Sequence, residues 1–157
     1  MPNITPFLWF DNEAEAAMNF YVSIFPNSKV LSVNRNPEGA PMPAGTVQMA
    51  TFELNGQTVM ILNGGPFFKQ TEAFSFFVNC ETQDEVDFYW AKLTEGGSEG
   101  QCGWLKDKFG VSWQIVPSAL GQVLGNPDPA KAQRAMEAML KMSKLDIRAL
   151  ESAAELA

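Results

Sequence analysis

Apolar and polar residues alternate along this chain with two periods, and the blocks they form come in the same order twice. Residues 4–10 are mostly apolar and read as a strand. Asn12 and Glu15 then have the spacing of a capping box, and Met18, Tyr21 and Phe25, at i, i+3 and i+7, mark the buried stripe of a helix that Pro26-Asn27 ends. Strands are predicted over residues 29–34, 46–54 and 57–62. Asn55-Gly56 between the last two is a strong hairpin signal, because both residue types tolerate positive φ. Residues 36–45, with their prolines and glycines, are too polar for a strand and join two of them as a surface connection or a lid.

The second half repeats this order. Laying Phe20-Tyr21 on Phe88-Tyr89 also lays Glu13 on Glu81 and Leu8-Trp9-Phe10 on Phe76-Phe77-Val78. The stripe Met18, Tyr21 and Phe25 lands on Val86, Tyr89 and Leu93, and Thr82 with Glu85 gives a second capping box. A shorter offset lays Gly56 on Gly110 and residues 58–62 on 112–116. Each half therefore reads strand, helix and three strands. The last strand, after the turn Asp107-Lys108-Phe109-Gly110, is apolar except for its face of Ser112, Gln114 and Val116, whereas Val111, Trp113 and Ile115 share the other side. Asp107 reads as a turn-former whose carboxylate bonds its own backbone. Gln114 is the residue that points to a cavity, since a buried amide needs partners or a ligand.

The expected fold class is α+β within one domain, residues 1–157, with duplicated βαβββ units at 4–63 and 74–117 and a helical tail at 118–157. In the tail, Asp128-Pro129 caps a helix with the apolar stripe Ala132, Ala135, Met136, Met139 and Leu140, which Ile147 and Leu150 continue. That stripe either packs on its own unit or docks across a dimer.

Composition narrows the function. With 46% hydrophobic residues the chain can bury a real core, and a net charge of -7 with dispersed Lys and Arg excludes a nucleic-acid partner. No apolar run reaches membrane-spanning length and the start does not read as a leader, so a cytoplasmic protein without a membrane partner is expected. There is no histidine, which removes Ser-His and Cys-His nucleophile pairs and histidine-based metal sites. Cys80 and Cys102 fit neither a disulfide framework nor a metal spacing.

The paired strand-helix-three-strand units resemble the vicinal oxygen chelate superfamily, which includes glyoxalase I, bleomycin-resistance proteins and extradiol dioxygenases. The phrases FLWFDNEAEAAMNFYVSIFPNS, LNGGPFF, SFFVNC, CGWLKDKFGVSWQIVP and AMLKMSKLDI resemble its PhnB-like branch, labelled 3-demethylubiquinone-9 3-methyltransferase. The resemblance implies paired curved sheets forming an open barrel, a homodimer, and a divalent metal held from the first and last strands of each unit. The matching slots here are Pro6, Met60, Phe74 and Gln114. Three of these cannot bind a hard cation and one amide oxygen holds it weakly, so no bound metal is expected. Nor is a cofactor: the candidate for a glycine-rich turn after a strand, Asn63-Gly64-Gly65-Pro66, leads into Phe67-Phe68 and not into a helix, unlike an S-adenosylmethionine site.

The candidate ligand-binding residues are Trp9, Met60, Asn63, Phe76, Cys102, Trp104 and Gln114. The aromatic set reads either as packing or as an apolar pocket with Asn63, Gln114 and a thiol as polar anchors. Cys102, among small residues, is either an inert thiol or one activated by Lys106 or Lys108. No catalytic residue is assigned. The expected function is binding of a small, partly apolar or aromatic molecule; the alternative is an enzyme acting on a quinone-like substrate.

Overall fold

A computed structural model describes residues 3–155 of the chain. The first unit runs β1 (Phe7–Phe10), α1 (Ala14–Ile24), β2 (Lys29–Arg35), β3 (Val47–Leu54) and β4 (Gln57–Asn63). The second runs β5 (Ser75–Cys80), α2 (Gln83–Thr94), β6 (Ser98–Glu99), β7 (Trp104–Lys106) and β8 (Ser112–Pro117). The tail folds as α3 (Ser118–Leu124), α4 (Pro129–Leu140) and α5 (Ile147–Glu155). The strands form two four-stranded sheets of equivalent order, β1-β4-β3-β2 and β5-β8-β7-β6, each with one parallel pair. The α+β class with duplicated βαβββ units is thus present, and the sheets are not closed into a barrel. Contacts divide the chain after Gln70 into two compact units, the tail belonging to the second. No described helix is long and apolar enough to cross a membrane.

In the first unit the stripe of α1 buries Ala14, Met18 and Tyr21 against Leu8, Phe52, Val59 and Ile61 of its own sheet. Each of the larger aliphatic and aromatic side chains among these contributes about 1.5–3 kcal/mol on leaving water, the Ala14 methyl less. The β3–β4 hairpin turns at Asn55 (φ 47) and Gly56 (φ 83), both left-handed, which matches the twist of the flanking strands. The start of α1 differs from expectation. Asn12 and Glu15 make no capping box; the Ala14 N–H donates instead to Asn63 Oδ1 at 2.9 Å, and Asn63 Nδ2 donates to the Val47 carbonyl at 3.0 Å. Glu15 is turned away by Arg35, whose Nη2 donates to its carboxylate at 2.6 Å. A carboxamide brought in by the sheet and a guanidinium outcompete the local pair.

Of the second capping box one half forms: Thr82 Oγ1 accepts from Glu85 N at 3.2 Å, while the Glu85 carboxylate accepts from Glu81 N at 3.5 Å and not from Thr82 N. The buried stripe of α2 is Val86, Trp90 and Leu93, so Trp90 and not Tyr89 carries its middle. Beneath α2 lie Leu105, Trp113 and Ile115, all almost fully buried. The tail packs on its own unit, joining Val116, Val123, Ala135, Leu145, Leu150 and Ala154 in one apolar cluster. Gln83 fastens it, donating to the Leu145 carbonyl at 3.0 Å and accepting from Ile147 N at 2.8 Å. Cys102 N and Gly103 N donate to the carbonyls of Met142 and Ser143.

Candidate functional site

Because side chains alternate across a strand, each sheet presents one face to its own helix and one face away from it. In the first sheet the face away from α1 carries Phe7, Trp9, Met49, Thr51, Met60 and Leu62, as the strand register requires. Trp9 and Met60 therefore share a face. The Trp9 ring lies over Gly64, where an added Cβ would sit 2.3 Å from it, so only glycine fits. Its Nε1 donates to the Gly65 carbonyl at 2.9 Å, and Phe68 packs edge-on at 5.0 Å. Asn63 sits at the end of β4 with both ends of its carboxamide engaged in holding α1 and β3.

In the second sheet the face away from α2 holds two cross-strand rows. Gln114 lies between Phe77 on β5 and Trp104 on β7, and Ser112 lies between Ser75 and Lys106. The tail covers this face at its Val116 end. Gln114 is half-buried; its Nε2 donates to Ser75 Oγ at 3.0 Å, and its carbonyl oxygen accepts from no described residue. Phe77 is 59% exposed, so an amide stands between two aromatic rings on an open face. Phe76 is not part of that group. It pairs with Trp113 on the α2 side, ring centroids 4.7 Å apart.

A concavity of about 240 Å³ opens beside the Ser112 row, lined by Glu72, Ser98, Glu99, Gly100, Trp104, Leu105, Lys106 and Ser112. Lys106 pairs with Glu72, and that bond holds the Glu72 carboxyl below its usual range. Glu99 Oε1 accepts from Trp90 Nε1 at 2.8 Å. Ser112 is 1% exposed and its hydroxyl has no hydrogen-bond partner among the described residues. The sequence reading did not single out Phe77, Ser112, Glu72 or Glu99. The repeat itself held a signal for one of them, since it lays Trp9 on Phe77.

Cys102 has a left-handed backbone (φ 59) and its thiol lies 3.6 Å from the Met139 carbonyl, at the joint between the β7 loop and the tail. The lysines considered as its activators face other groups: Lys106 meets Glu72, and Lys108 lies over the Phe109 ring at 5.6 Å. Cys80 is fully buried, and burial, with Glu85 and Glu81 adding, pushes its thiol up to about 11. It stays protonated and is a poor nucleophile.

The four slots that the superfamily resemblance implies for a metal are chemically unlike a hard-cation site. The Pro6 carbonyl accepts from Met60 N at 2.9 Å, Met60 offers a thioether, and Phe74 offers a ring packed on Phe76. Gln114 alone brings a side-chain oxygen, and among the described residues no group of three or more His, Cys, Asp or Glu is placed to hold a metal. This donor set does not fit a divalent cation.

The family model described as 3-demethylubiquinone-9 3-methyltransferase matches residues 2–116 of the chain. Among solved structures, the chain is similar to the PhnB protein from Bacillus cereus, with 41% identity and a TM-score of 0.71 over 74% of this chain and 100% of that one. Protein PA1353 from Pseudomonas aeruginosa matches at 21% identity and TM-score 0.60 over 74% of this chain and 96% of that one. The fosfomycin resistance protein FosX from Listeria monocytogenes matches at 13% and 0.53 over 80% and 97%. These last two show the shared fold alone. No curated protein matches the chain. The matched span takes in both βαβββ units, and the identity to the Bacillus cereus protein runs over that protein's entire length, so the chain belongs to the PhnB-like 3-demethylubiquinone-9 3-methyltransferase family of the vicinal oxygen chelate superfamily.

Proposed function

We propose that the chain binds a small, partly apolar or aromatic molecule on the face of its second sheet turned away from α2, without a tightly held metal. The observation that carries this reading is the row Phe77, Gln114 and Trp104. Covering on the order of 100 Å² of those rings is worth about 2.5 kcal/mol, and a hydrogen bond from the ligand to the amide carbonyl adds about 1 kcal/mol. Neither contribution needs a cation, and the Pro6, Met60, Phe74 and Gln114 donor set favours none. The family description also raises methyl transfer to a quinone-like substrate. Here the Asn63-Gly64-Gly65 turn is engaged by Trp9 and by the start of α1, which favours binding over that chemistry.

The test is a thermal-shift screen of small aromatic hydrogen-bond donors, run in chelator and again with manganese or zinc. Compounds that raise the Tm equally in both conditions are expected. Stabilisation that appears only with the metal would contradict the metal-free part of the reading.

A homodimer belongs to the same proposal, because α4 exposes Met136 (37%) and Leu140 (58%). Light scattering at micromolar concentration is expected to give the mass of two chains. The mass of one chain would remove the dimer.

A further inference from the structure

We infer that Gln83, the first residue of α2, is a positioning residue for the ligand face: it docks the tail, and the tail holds the bend from which Trp104 projects. The inference rests on the binding reading above in taking Trp104 as part of the site, and it names what keeps that site in shape.

The chain of contacts starts at Gln83. Its Nε2 donates to the Leu145 carbonyl at 3.0 Å, and its Oε1 accepts from Ile147 N at 2.8 Å. The Ile147 amide opens α5 and has no acceptor within its own helix, so a carboxamide from α2 satisfies that helix start. One turn along α2, Asp87 accepts from Gln83 Nε2 at 3.0 Å and pairs with Lys144 Nζ at 2.9 Å. Residues 144, 145 and 147 are thus pinned to one face of α2.

The pinned segment reaches the site through its backbone. The carbonyls of Met142 and Ser143 accept from Cys102 N and Gly103 N, each at 2.8 Å. Leu145, fully buried, packs so closely on Gly103 that an added Cβ would lie 3.0 Å from its Cδ1. Cys102 (φ 59) and Gly103 (φ 86) are both left-handed. A cysteine keeps that conformation only where its surroundings over-determine it, and here the tail supplies three carbonyls, the third being that of Met139 at 3.6 Å from the thiol.

Trp104 is the next residue, opposite Gln114. The β7–β8 ladder also holds it, with Ile115 N donating to the Gly103 carbonyl at 2.8 Å. That ladder fixes the strand and not the bend through which the chain enters it. The place of the indole in the row Phe77, Gln114 and Trp104 therefore depends on a segment beyond residue 116, where the family match ends. The coupling is reciprocal: a compound held against Trp104 stabilises the docked tail by as much as the docked tail favours the compound.

Fluorine NMR of the full chain labelled with 5-fluorotryptophan reads the indoles directly and needs no ligand. The chain has four tryptophans, and Trp104→Phe identifies the Trp104 resonance. Gln83→Ala removes both tail bonds and should speed amide exchange at Cys102 and Gly103 about 10-fold. It should also shift or broaden the Trp104 resonance and leave that of Trp9, in the first unit, in place. Gln83→Glu, the milder change, keeps the acceptor for Ile147 N and should fall between wild type and alanine in both readouts. Unchanged exchange at Cys102 and Gly103 in Gln83→Ala would overturn the inference. So would faster exchange with the Trp104 resonance unmoved, since the tail would then add stability without placing the indole. The two readings fail separately. An unmoved Trp104 sinks the positioning role and leaves the sheet-face site standing, whereas a moved Trp104 with ligand affinity indifferent to Gln114→Leu does the reverse.

Discussion

Replacing Asp107 with alanine should lower the unfolding free energy by about 4 kcal/mol, through loss of three hydrogen bonds at one buried carboxylate. Asp107 is 3% exposed at the turn between β7 and β8. Its Oδ1 accepts from Phe109 N at 2.8 Å and Val111 N at 3.1 Å, and its Oδ2 accepts from Trp113 Nε1 at 2.8 Å. Alanine removes both acceptor oxygens and leaves the buried donors of Val111 and Trp113 without them, at roughly 1–3 kcal/mol for each donor left unsatisfied. Asparagine keeps one oxygen, so Asp107→Asn should cost about half as much. Denaturant unfolding checks both, and a loss under about 1 kcal/mol for the alanine variant would show that the turn holds without this carboxylate.

That turn was legible in the sequence because its chemistry is local: an aspartate bonds backbone a few residues ahead, and a glycine closes the loop. The hairpin at Asn55-Gly56, the α1 stripe and the repeat of the βαβββ unit were legible for the same reason, each resting on neighbours or on a fixed period. What the sequence concealed depends on pieces of chain that meet only in the fold. The capping of α1 passed from Asn12 to Asn63, 49 residues from the amide it accepts from. Phe76 was selected and Phe77 was not. The choice turns on the parallel register of β5 against β8, where a slip of one residue exchanges the two faces. Glu72 and Glu99 lie in a connection and in a two-residue strand, where no periodicity marks them, and only the partners they meet in the fold, Lys106 for Glu72 and Trp90 for Glu99, give them a role.

The second large effect is expected at Gln114. Val111, Trp113 and Ile115 are all buried on the α2 side of β8, and Gln114 alternates to the other side between Phe77 and Trp104. A ligand donor bonded to its carbonyl loses that partner in Gln114→Leu and keeps both rings, which costs about 2 kcal/mol, or about 30-fold in affinity. Folding loses only the bond to Ser75 Oγ, while leucine adds apolar area next to two aromatic rings, so stability should hold or rise slightly. The most direct measurement is the dissociation constant of the strongest compound from the thermal-shift screen, determined for the wild-type chain and for Gln114→Leu beside their melting temperatures. The row of Phe77, Gln114 and Trp104 predicts an affinity about 30-fold weaker at an unchanged or higher Tm. An unchanged affinity with a sharply lower Tm would make Gln114 a structural residue and contradict the site.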